Sequence, residues 1–240
     1  MPHRRKFCQL KESQITSMPA PDRSFARRLA QDSLAEGDPV GWFETFYQAA
    51  AGDATRISWA DLQPNPNLVS WLARRPSPAV GANALVVGCG LGDDAEELAR
   101  RGYRVMAFDV ALRAIAWCRE RFPASGVDYR VSDLLALPNE WRGAFSLVVE
   151  IYTLQVLPPD VRAVAAAALA DCVAPGGTLL VIARGREPAD DAGQMPWPLT
   201  RSELEQVGAG SLEITSFEDF FDTEEPPVRR FRIEYRRATR

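Results

Sequence analysis

Ala84-Leu85-Val86-Val87-Gly88-Cys89-Gly90-Leu91-Gly92-Asp93-Asp94 decides the fold of this chain, together with Val105-Met106-Ala107-Phe108-Asp109 further on. The first run reads as a buried strand that enters a glycine turn and opens a helix. The second reads as another buried strand, ending on a carboxylate. Such a pair builds a nucleotide site: glycines admit a ligand close to the backbone, and the acid can accept both hydrogen bonds of a ribose diol. The spacing then narrows the ligand. A dinucleotide fingerprint asks for Gly-x-Gly-x-x-Gly, whereas here the third glycine comes one residue early, at Gly92, and Asp93 stands in its place. Asp93 and Asp94 put acids where a pyrophosphate would take the free amides of the helix N-terminus, which disfavours nicotinamide-dependent oxidoreduction.

A cationic sulfonium ligand without phosphate fits that turn better. The strand running into Gly88, Gly90 and Gly92 resembles the first motif of the class I S-adenosylmethionine-dependent methyltransferases, and the resemblance extends over residues 81–184. Upstream, Ile57-Ser58-Trp59-Ala60-Asp61-Leu62-Gln63-Pro64-Asn65-Pro66-Asn67-Leu68 looks like the Trp-containing, Pro-rich approach of the thiopurine S-methyltransferase-like group. The resemblance implies a Rossmann-like α/β fold with a mainly parallel seven-stranded sheet whose last strand is antiparallel. It implies S-adenosylmethionine as cofactor and a small-molecule methyl acceptor. On these positions it implies that Gly88, Gly90 and Gly92 bring backbone to the methionine moiety and that Asp109, with Val110 beside it, holds the ribose. Asp133 would accept from the adenine amine while Leu134 packs on the ring.

Composition agrees with one α/β unit: 240 residues, 46% of them hydrophobic, suffice for a single sizeable core. The formal net charge of -4, with Arg and acids interspersed, argues against nucleic acid as an obligatory partner. Cys8, Cys89, Cys118 and Cys172 are scattered without metal spacing, the pattern of a reduced cytosolic protein. No apolar run reaches membrane-span length. Both lysines, Lys6 and Lys11, and the sole histidine, His3, precede Met18, so residues 1–22 are expected to be a disordered extension, with a translation start at Met18 as the alternative for the first seventeen.

Residues 23–240 read as one domain, with a helical cap over 23–80 and the Rossmann-like core over 81–240. In the cap, apolar residues at helical spacing between Ser24 and Ala51, broken at Gly37-Asp38-Pro39, predict two short helices, and a third is expected after Pro64. In the core, strands are expected at 84–87, 104–109, 127–131, 145–150 and 178–183. Helices alternate with them at 93–101, 112–121 and 159–172. Two extended runs, 212–221 and 228–237, close the chain.

Three readings of Glu150, at the end of the fourth strand, stay open: it holds the cofactor's ammonium, acts as a base, or satisfies loop amides. Tyr152 reads equally as packing or substrate contact. Trp42, Phe43, Tyr47 and Trp59 pack the cap or shelter a sulfonium through their ring faces; Trp59 is counted with the cofactor residues. The absence of histidine after residue 3 removes the commonest base and favours a soft or acidic acceptor such as a thiol. Asp61, Glu150 and Tyr152 remain candidate bases. An inactive protein of the same fold, binding S-adenosylmethionine or its demethylated product as a regulator, is the alternative to an enzyme.

Overall fold

The computed structural model describes residues 23–239, and the expected disordered extension lies outside them. The chain forms helices α1 (Arg23–Ala35), α2 (Trp42–Ala50) and α3 (Pro66–Ala73). It then alternates through β1 (Asn83–Val87), α4 (Asp93–Arg100), β2 (Arg104–Asp109), α5 (Leu112–Arg121), β3 (Asp128–Val131), β4 (Phe145–Ile151), α6 (Pro159–Cys172) and β5 (Val173–Arg184). A short helix α7 (Arg201–Glu205) and the hairpin strands β6 (Glu213–Phe221) and β7 (Arg229–Arg236) complete it. The strands form one seven-stranded sheet in the order β3-β2-β1-β4-β5-β7-β6. The β3 to β5 pairs are parallel, and β7 runs antiparallel between β5 and β6. The chain order reverses between β1 and β4, a switch point that opens a crevice at the strands' carboxyl ends.

Continuous apolar strands bury both sheet faces, as the run Ala84 to Val87 predicts. One face packs Leu85, Val87, Val148, Leu179, Val181, Ile233 and Tyr235 under α6. The other packs Val86, Val149, Leu180 and Ile182 with Ala95 and Leu98 of α4 and Ile115 of α5. Helix α3 belongs to this second face through Leu68, Trp71 and Leu72, not to the cap with which the sequence groups it. Its hold on β7 is polar as well: Arg232 Nη1 donates to Asn67 O at 2.7 Å and Ser70 Oγ at 2.8 Å, and Trp71 Nε1 donates to Glu234 Oε1 at 2.8 Å.

The cap is therefore α1 and α2 with the turn that follows. Phe25, Ala30, Trp42, Phe46 and Ala50 gather over Ala111 just before α5, Ala114 of α5, Leu91 of the glycine turn and Met195 of the loop after β5. Arg27 Nε ties that loop to α1 by donating to Met195 O at 2.7 Å. Strand β5 starts earlier than expected, since Val173 pairs with Phe145 before a bulge at the Pro175-Gly176-Gly177 turn. Helix α7 is too short to show a periodic signal, although its capping box, Thr200 with Glu203, is a sequence-level signature.

Candidate functional site

A cavity of about 530 Å³ opens at the carboxyl ends of the strands and beneath the cap, within the range of roughly 300 to 1,000 Å³ common for small-molecule sites. Its floor is the turn after β1. Gly88 and Gly90 have positive φ, 58° and 54°, which lets the chain fold back on itself between strand and helix. Asp109, at the tip of β2, fixes this turn: its Oδ2 accepts from Gly90 N at 3.0 Å and its Oδ1 from Ala111 N at 2.9 Å. Burial pushes the Asp109 carboxyl up to about 6, against the backbone hydrogen bonds that pull it down. Each oxygen keeps a lone pair for a further donor.

The structure brings Gly88, Gly90, Asp109, Val110, Asp133, Leu134 and Trp59 to the cavity wall. Asp133 also accepts from Leu135 N at 3.0 Å, which shapes the turn that carries Leu134. Trp59 stacks on Phe46, ring centroids 4.4 Å apart, and donates Nε1 to the Tyr47 hydroxyl at 3.2 Å. That hydroxyl stands over Gly90, 3.4 Å from where a Cβ would be. Gly88 and Gly90 thus differ, because a Cβ at Gly88 would meet Thr153 Oγ1 at 2.4 Å rather than open space.

Two expected residues lie elsewhere. Gly92 does not line the cavity: it caps α4 at φ 93°, and a Cβ there would run into Tyr129 Oη at 2.6 Å and Cys118 Sγ at 3.1 Å. The third glycine lets β3 and α5 close on the turn. Glu150, fully buried, does not line the cavity either. Its Oε1 accepts from Thr153 N at 2.6 Å and Leu154 N at 2.9 Å, which is the loop-amide reading. Its Oε2 has no hydrogen-bond partner among the described residues, and burial raises the acid to about 7. Glu150 positions the loop that presents Tyr152, Thr153 and Gln155 to the cavity.

The two acids that open α4 divide their work. Asp93 makes a bidentate pair with Arg121, 2.8 Å on both arms, so its charge is compensated by α5. Asp94 accepts from Asn65 N at 2.7 Å at the start of α3, and burial raises it to about 6. It lines the cavity with Asp61. Beside the turn, Cys118 Sγ donates to Gly90 O at 3.2 Å, so α5 brings a second cysteine near Cys89 that sequence distance conceals.

At the far end of the cavity only Tyr152 had a sequence signal. Tyr152 holds a positive φ of 65°, a conformation that costs a non-glycine residue about 1 to 3 kcal/mol and directs its ring toward the cavity. The Arg230 guanidinium lies 4.8 Å from that ring's centroid. Arg230, Arg184 and Arg23 line this end with Asp222 and Glu224.

Similarity to known proteins runs along the same lines. Residues 84–177 match a family model described as a methyltransferase domain. That stretch of the chain is similar to methyltransferase domains. Ubiquinone biosynthesis O-methyltransferase of Xanthomonas axonopodis pv. citri (strain 306) is 35% identical over 127 residues, 52% of each chain. The protein of the same name from Sodalis glossinidius (strain morsitans) is 29% identical over 180 residues, 71% of each. The chain thus spans about half the length of the first curated relatives it matches. Among solved structures, N-methyltransferase NodS from Bradyrhizobium japonicum WM9, in complex with S-adenosyl-L-homocysteine, superposes with TM-score 0.64 at 20% identity. It covers 80% of this chain and 96% of that one. A structure described as "Conversion of a Disulfide Bond into a Thioacetal Group during Echinomycin Biosynthesis" gives TM-score 0.65 at 22% identity, covering 81% and 91%. The two solved structures share the fold of this chain. None of the four points to the thiopurine S-methyltransferase-like group.

Proposed function

We propose that this protein is an S-adenosylmethionine-dependent methyltransferase acting on a small-molecule acceptor. The observation that carries the reading is the Asp109 carboxylate, buried at the tip of β2 and holding the Gly90 amide at the floor of a capped cavity. The cavity suits that cofactor. Gly90 offers bare backbone, Asp109 and Asp133 offer acceptors to a ribose and an adenine amine, and Asp61 and Asp94 favour a ligand carrying positive charge. Bound there, the cofactor supplies a methyl group on a positively charged sulfur, an already good leaving group.

This chain's residues then have to align the acceptor and exclude water. The cap aromatics Trp42, Phe43, Tyr47 and Trp59 form an apolar roof whose ring faces suit a cation. Glu150 holds the loop that shapes the acceptor side. A thiol of low pKa would need no base, as the absence of histidine favours, and an acidic hydroxyl could pass its proton to Asp61 or Asp94 at the cavity wall. Relatives named O-methyltransferase support the hydroxyl.

Transfer of labelled methyl from S-adenosylmethionine to a panel of small aromatic thiols and phenols tests the reading. Methylated product from one class names the acceptor atom. Binding of the demethylated product with no transfer to any acceptor would favour the inactive regulatory alternative.

A further inference from the structure

The cavity's ionisable groups are sorted along the sheet. Asp61, Asp93, Asp94, Asp109 and Asp133 surround the ends of β1, β2 and β3, whereas Arg184 and Arg230 stand at the other half, on β5 and β7, with Arg23 of α1 beside them. Arg184 and Arg230 are direct cross-strand partners in the antiparallel β5–β7 pair. Like charges in that position oppose pairing, so each needs a counter-charge.

Arg230 has its counter-charges. It is almost fully buried, its Nε donates to Asp222 Oδ2 at 2.5 Å, and its Nη2 pairs with Glu224. Arg184 has no direct partner: among the described residues its guanidinium forms neither an ion pair nor a hydrogen bond, Glu224 attracts it only through space while pairing with Arg230, and its backbone N–H is held by Gln155 Oε1 at 2.8 Å. Arg23, its neighbour in space, adds a further positive charge. Among the described residues, these three guanidinium groups face the two carboxylates Asp222 and Glu224, an excess of one positive charge at the wall of a cavity. A half-buried, unpaired arginine opposite another arginine costs stability, and a fold that keeps it has a use for its open fork. Tyr152, the apolar cap residues Trp42 and Phe43, and Met195 of the loop after β5 line the same chamber, which fits an aromatic body next to the charge.

We propose that Arg184 is the specificity-determining residue of the acceptor subsite and binds a single anionic group, a carboxylate, on an aromatic methyl acceptor. The assignment rests on the methyltransferase reading and deepens it. The five-donor guanidinium takes the two carboxylate oxygens, while the acceptor's ring lies between Tyr152 and the cap and its nucleophile points toward the glycine turn. Neutral analogues lose this contact and leave the guanidinium desolvated without a partner.

The test is calorimetric, with the full chain saturated by S-adenosylhomocysteine. 4-Hydroxybenzoate and 4-sulfanylbenzoate are titrated against their primary amides. Both carboxylates are expected to bind at least about tenfold more tightly than the amides. Arg184→Gln should bring the ratio to about one, and Arg184→Lys should retain part of it, while both variants keep wild-type affinity for S-adenosylhomocysteine. Equal or undetectable binding of carboxylate and amide, or a preference that survives Arg184→Gln, overturns the proposal while leaving the methyltransferase reading in place. Failure of S-adenosylhomocysteine to bind the wild-type protein is a different outcome: it overturns that reading and this one with it.

Discussion

Gly90 and Gly92 belong to one motif but have different neighbours, and so different consequences when substituted. At Gly90 a side chain would meet only the Tyr47 hydroxyl, at 3.4 Å. Gly90→Ala should therefore fold, at a cost of about 1 to 2 kcal/mol for its left-handed backbone. It should weaken cofactor binding about tenfold or more, because the added Cβ occupies the ligand's approach. Gly92→Ala should do the reverse. Its Cβ would collide with Tyr129 and Cys118, so the loss should appear as about 2 to 4 kcal/mol of stability in urea unfolding. The motif shows that backbone must pass closely here, yet not whether a ligand or a tyrosine passes it. Asp109→Ala should weaken cofactor binding by about 1.5 to 3 kcal/mol, the range for a hydrogen bond to a charged acceptor. The acid's raised value, about 6, also gives a pH dependence. Below about 6 the carboxyl gains a proton and loses acceptor capacity, so affinity for S-adenosylhomocysteine should fall as pH drops from 7 to 5. Stability moves the other way: the folded state holds the Asp109 proton more tightly than the unfolded chain, so this group's contribution to stability rises as pH falls from about 6 toward 4.

At the scale of elements, the alternation of strand and helix from β1 to β5 was legible because apolar runs, glycine stops and prolines punctuate it. The observed boundaries mostly lie within a residue or two of those expected. What each helix covers was less legible. Helix α3 has the composition of a cap helix, but its companion is β7, about 160 residues downstream, and the partners Arg232 and Glu234 belong to a strand whose register only the folded sheet fixes. Arg232→Ala should free α3, leaving Asn67 O without that donor and Glu218 with Arg74 alone; a loss of about 1 to 3 kcal/mol in urea unfolding is expected, the range for a buried acceptor left unpaired. The pair of acids at the start of α4 reads in sequence as one electrostatic feature, and the fold separates them, assigning Asp93 to Arg121 and Asp94 to α3.

For the molecule as a whole, the sheet order carries the function: a switch point between β1 and β4 places the crevice, and the cap closes it from above. The end of the cavity around the glycine turn was visible in the sequence because its residues follow strands that end in recognisable motifs. At the other end only Tyr152 was singled out, as packing or substrate contact, since Arg23, Arg184 and Arg230 come from three elements with no common spacing. Glu150 shows the intermediate case, a residue whose position at a strand end was clear but whose side chain turns into its own loop. Among the described residues, no helix is long and apolar enough to cross a membrane. The central claim is that the glycine turn and Asp109 hold a sulfonium nucleoside rather than a dinucleotide. The direct measurement is a calorimetric titration of ligand-free protein with S-adenosylmethionine, S-adenosylhomocysteine and NADH. Micromolar binding of both sulfur ligands and none of NADH is predicted; binding of NADH, or of neither sulfur ligand, would contradict it.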